Sequence, residues 1–97
     1  VSLFVVIRTR GAAWDPAQPL EGQRDWKGHA AFMEALVADG FVRLGGVLEG
    51  TSDALLVIEA GDVPEVIARL AEDPWSRSQL LSVSQVSGWS LRLGRMI

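Results

Sequence analysis

Residues 41–60 read FVRLGGVLEGTSDALLVIEA, two apolar runs separated by Glu49, Gly50, Thr51, Ser52 and Asp53. The runs 41–48 and 54–60 are rich in Val, Leu and Ile, which favour strands, and a short polar connection between such runs makes an antiparallel hairpin. Gly45 and Gly46 interrupt the first run and mark a bulge or a close backbone approach. Working outward, residues 24–40, RDWKGHAAFMEALVADG, place Trp26, Ala30, Met33, Leu36 and Val37 at helical spacing, with Gly40 as the stop. On the other side Asp62 is an N-cap and Pro64 sits in a first turn, followed by Val66, Ile67, Leu70 and Ala71; this second helix ends before Pro74.

The outermost segments are strands. Residues 3–10 begin with five consecutive apolar residues, Leu3 to Ile7, which means that both faces of that strand are covered. Residues 79–93 alternate, with Leu81, Val83, Trp89, Leu91 and Leu93 in phase and Val86 out of phase, which predicts one long strand with a bulge between Gln85 and Gly88. Residues 11–22, GAAWDPAQPLEG, form a long loop, because its two prolines break both ladder and helix bonding. The order is β-α-β-β-α-β. With right-handed crossovers it gives a ferredoxin-like α+β sandwich, a four-stranded antiparallel sheet with two helices on one face. Two helices cover one face only, whereas the first three strands are apolar on both. The uncovered face would expose on the order of several hundred Å² of apolar surface, more than soluble monomers tolerate. A second copy placed sheet to sheet is the simplest cover, so the chain is expected to form a homodimeric α+β barrel.

Ninety-seven residues, 48% of them apolar, are expected to make one folded domain over 1–97. The formal charge of −3 and scattered arginines exclude a nucleic-acid stripe. No run reaches the roughly 20 apolar residues of a membrane helix, and residues 1–10 pass from apolar to basic, the reverse of a signal peptide. A cytoplasmic protein without nucleic-acid or membrane partners is expected. There is no cysteine, so disulfides and thiolate chemistry are absent.

His29 is the one histidine, and the one side chain that titrates near neutral pH without special tuning. It lies beside the apolar stripe of the first helix. It reads either as a general acid or base facing a pocket or as a helix-face ring bonded to a carbonyl. Asp73 stands between the second helix and Pro74, where it either starts a turn or fixes the tautomer of a nearby imidazole. One His without Cys or suitably spaced carboxylates argues against a metal site, and no cofactor is expected. Arg24 reads as a carboxylate holder or a solvated first-turn cation. Trp14, Trp26 and Trp75 line an apolar substrate pocket or pack as core; Asp15 is a weaker candidate.

Taken together, FVVIRTRG, the Arg24-Asp25-Trp26-Lys27-Gly28-His29 segment, ALVADGFV, LGGVL, ALLVIEA and AEDPWSRSQLLSV, in that order, resemble the YCII-related (YciI-like) family over nearly the whole length. The resemblance implies a ferredoxin-like dimeric α+β barrel with the family's histidine at His29 and its aspartate at Asp73 in an active-site pocket. One relative in that family resembles a dehydrochlorinase of a chlorinated hydroxyhydroquinone that uses His-Asp acid-base chemistry. The chain departs from the family pattern after Gly46, where Val47 replaces a frequent proline at one pocket edge. Three functions stay open. The first is a cofactor-free enzyme using the His29–Asp73 pair for elimination, isomerisation or lyase chemistry on a small anionic or aromatic molecule. The others are a non-catalytic ligand-binding or interaction module, and a monooxygenase-like barrel.

Overall fold

The computed structural model describes residues 2–94. Strands β1 (Ser2–Arg10), β2 (Val42–Val47), β3 (Asp53–Ala60) and β4 (Leu81–Trp89) form one antiparallel sheet in the order β2-β3-β1-β4. Helices α1 (Trp26–Ala38) and α2 (Val63–Leu70) pack on one face, and a single helical turn, α3 (Pro74–Arg77), follows α2. This is the ferredoxin-like sandwich that the element order predicts.

Period-two alternation sorts β1 cleanly. Phe4 and Val6 point toward the helices and join Leu56, Ile58 and Ala60 of β3, Leu36 of α1, and Val66 and Leu70 of α2 in the core. Arg8 has the same parity, so the strand delivers a guanidinium to the end of that core, where it is only 2% exposed. The opposite parity carries Leu3, Val5 and Ile7 onto the face without helices, paired with Glu59, Val57 and Leu55 of β3. Leu44 and Trp89 join this outer face at 58% and 40% exposure. β2 is an edge strand, and beyond Val42 all its residues are exposed in the single chain.

Several boundaries differ from the sequence expectation. β4 ends at Trp89, and Leu91 and Leu93 lie beyond it, exposed. Its bulge comes earlier than predicted: Ile7 pairs with Gln85 and Arg8 with Val83, so Ser84 is the extra residue. The bulge flips the strand, putting Val83 on the helix side with Arg8, and Gln85 and Trp89 on the outer face. That is why one alternating pattern could not describe both halves. In β2 the irregularity falls between Val42 and Leu44, not at the glycines. Gly45 instead permits a close approach, since a Cβ there would stand 2.6 Å from Leu56 Cδ2.

Helix α1 is shorter than 24–40. Its N-cap residue Asp25 adopts a left-handed backbone (φ 58°) and gives no side-chain cap, and Gly40 at φ +84° turns the chain away at the other end. Helix α2 starts as the sequence predicts, with the Asp62 side chain accepting from the Glu65 amide at 2.9 Å.

Candidate active site

Three elements meet at one end of the helix layer: the C-terminal half of β1, the first turn of α1, and the α2–α3 junction. Asp73 is the N-cap of α3, and its Oδ1 accepts from the Trp75 amide at 2.9 Å. The same carboxylate receives Arg8 Nη1 at 2.9 Å and stands 2.8 Å (Oδ2) and 3.0 Å (Oδ1) from His29 Nδ1. Asp73 is fully buried and His29 is 12% exposed. The second amino group of Arg8 donates to Ser76 Oγ at 2.8 Å, and the Ser76 hydroxyl in turn donates to the Leu70 carbonyl at the end of α2. Arg8 Nε finds no partner among the described residues.

Burial pushes the Asp73 carboxyl up, but the hydrogen bonds from His29 and the Trp75 amide and the charge of Arg8 outweigh it and hold the group below the usual carboxylate range. Asp73 is therefore an acceptor only, and Nδ1 of His29 must carry the proton that lies between them. This leaves Nε2 with its lone pair, and no hydrogen bond to it occurs among the described residues. The imidazole is held from a second side. Its plane lies on the indole of Trp75, whose Nε1 donates to the Arg24 carbonyl at 2.7 Å. An imidazole fixed in tautomer and in plane, with one free nitrogen, is equipped to accept or return a proton.

His29 lines a cavity of about 270 Å³. Trp14, Trp26 and Trp75 form aromatic walls with Met33 and Leu20; Gly45, Gly46 and Val47 form the rim from β2. The predicted long loop does supply a wall. Gln23, 4% exposed, ties the loop down through its amide, accepting from the Asp15 amide and donating to the Asp15 and Gln18 carbonyls. Trp14 meets Trp75 edge to face at 5.6 Å.

His29, Asp73, Trp14, Trp26 and Trp75 are thus gathered in one place. Arg24 and Asp15 are not. Arg24 is exposed and does not line the cavity; its backbone carbonyl, not its guanidinium, serves the site by anchoring Trp75. Asp15 caps its own turn by accepting from the Ala17 amide. Sequence reasoning passed over Arg8, although a cation at the inward parity of Phe4 and Val6 was the available signal: a charge on a core face requires a buried partner. Arg10 shares that parity but stands at the exposed end of the strand, and Ser76 carried no comparable signal. Among the described residues, no three His, Asp or Glu side chains lie close enough to hold a metal ion.

No family model matches the chain, and no curated protein is similar to it in sequence. Among solved structures it is similar to 5-chloro-2-hydroxyhydroquinone dehydrochlorinase (TftG) from Burkholderia phenoliruptrix AC1100, in complex with 2,5-dihydroxybenzoquinone. The TM-score is 0.60 at 22% identity, with 95% of each chain covered. The two chains share a fold.

Proposed function

We propose that this protein is a small enzyme of the YCII-related type in which His29 Nε2 takes a proton from a small anionic or aromatic molecule and passes it back to another carbon of that molecule (isomerisation) or on to the leaving group or solvent (elimination). The step is an elimination, isomerisation or lyase reaction that uses no cofactor. The observation that carries this reading is the asymmetry of the ring: Nδ1 is tied to a buried, ionised Asp73, while the ring lines an aromatic-walled cavity. A histidine kept only for structure gains nothing from facing a cavity of molecular size. When Nε2 takes a proton, the adjacent carboxylate stabilises the imidazolium, and the stack on Trp75 prevents the ring from turning away. Arg8 is a positioning residue here, since it touches Asp73 and Ser76.

Fold likeness to a dehydrochlorinase makes 5-chloro-2-hydroxyhydroquinone the first molecule to try, with chloride release as the readout. His29→Ala should remove turnover of any accepted substrate by roughly 10²–10⁴-fold, while the protein stays folded with its thermal midpoint lowered only by the lost contacts with Asp73 and Trp75. Equal loss of activity and stability would assign His29 a structural role.

We further propose that the active form is a homodimer joined through the outer sheet face. Leu3, Val5, Ile7, Leu44, Leu55 and Trp89 form a contiguous apolar surface there, and burial against a second copy removes it from water.

A further inference from the structure

Two cations line the cavity, and they differ in what occupies them. Arg8 is buried and committed, with Nη1 on Asp73 and the other amino group on Ser76. Arg10, two residues on and at the same parity, stands at the exposed end of β1 and makes no ion pair among the described residues. Its guanidinium lies over the Trp14 ring, 4.6 Å from the centroid. Stacking of this kind fixes the plane of a guanidinium through cation–π attraction while leaving its N–H edge free to donate. Such an edge matches a carboxylate or phenolate oxygen, and the surrounding apolar walls strengthen the attraction relative to open water.

We propose that Arg10 is the anion-receiving residue of this cavity, and that its ligand is a flat ring bearing a carboxylate or phenolate oxygen. The ring packs against the aromatic walls that Trp14 and Trp26 give the cavity, and the anionic oxygen meets Arg10. This deepens the enzymatic reading above and rests on the same cavity. Asp53 also lines it, the single carboxylate among the lining residues. It repels an anion, which leaves the Arg10 edge as the place for the charged oxygen; a ring hydroxyl is what Asp53 would accept from.

The test is binding, so it does not depend on turnover. Benzoate and its neutral counterpart benzamide are titrated into the full chain and followed by tryptophan fluorescence. Benzoate should bind about tenfold or more tightly than benzamide. Arg10→Gln should abolish that preference and leave benzamide binding unchanged, Arg10→Lys should retain part of it, and Asp53→Asn should not weaken benzoate. Circular dichroism and thermal unfolding of Arg10→Gln check that this exposed substitution leaves the fold intact. Equal affinity of the two rings, no binding of either, or benzoate affinity indifferent to Arg10→Gln would each overturn the assignment. His29→Ala separates the two readings: it should keep the benzoate preference whether or not turnover is lost.

Discussion

The imidazole of His29 lies flat against the indole of Trp75, with ring centroids 3.9 Å apart and planes 3° from parallel. Trp75 is 1% exposed and is itself fixed by donating to the Arg24 carbonyl, so it serves as a rigid backing for the histidine. Trp75→Phe keeps an aromatic plane and loses that hydrogen bond along with part of the ring. A cost of about 1–2 kcal/mol is expected in urea denaturation, with activity largely retained. Trp75→Leu removes the plane altogether, and turnover should fall further than stability does. If both variants lose activity only in proportion to the unfolded fraction, the stack has no part in holding the ring.

Asp73 is the common partner of Arg8 and His29, and removing its charge leaves a buried guanidinium unpaired. Asp73→Asn should therefore cost about 3–5 kcal/mol. The pH dependence follows from the depressed carboxyl. An acid whose folded pKa lies below its unfolded value binds fewer protons when folded, so its stabilisation is complete above the unfolded value of about 4 and is lost as pH falls through the folded one. Urea midpoints measured from pH 7 downward should drop in that acidic window, and drop less in Asp73→Asn. Asp39 is also held low, through hydrogen bonds from Arg69 and the Phe41 amide, so Asp39→Asn is the control that isolates the buried group. A parent and an Asp73→Asn variant with the same acid slope would show that the pair contributes no linkage.

Leu44 projects from the outer face at 58% exposure. Leu44→Asp should leave the protomer folded and convert a dimer to monomers in sedimentation velocity, because a buried unpaired carboxylate at a sheet-to-sheet contact is strongly unfavourable. A parent protein that sediments as a monomer would remove the dimer outright.

Gly45 and Gly46 are adjacent, yet their substitutions should diverge. A methyl group at Gly45 meets Leu56 Cδ2, a core side chain, whereas at Gly46 nothing lies within 4 Å. Gly45→Ala should destabilise by about 1–3 kcal/mol through overpacking and narrow the cavity beside it; Gly46→Ala should stay within about 0.5 kcal/mol of the parent protomer. Denaturation midpoints in the Leu44→Asp background measure both without interference from association.

The sequence by itself determined the element order, the hairpin at its centre and the two helix positions, because these rest on local spacing: alternation along strands, a helical apolar stripe, and glycine or capping residues at the ends. It also singled out His29 and Asp73 as residues whose chemistry needs a partner, since a lone imidazole beside an apolar stripe and a carboxylate at a helix junction each call for one. The family resemblance already placed both in one pocket, but only the tertiary structure shows the contact between them and adds Arg8 to the group, because residues 44 positions apart meet only when β1, α1 and the α3 turn close on one another. The bulge at Ser84 was equally beyond local reading: a strand with an extra residue looks like a change of phase, and its position is set by which residue of β1 each half must face. Arg24 shows the same limit from the other direction. Its side-chain type attracted a functional reading, whereas the fold uses its carbonyl, a group that every residue has and that no sequence can single out.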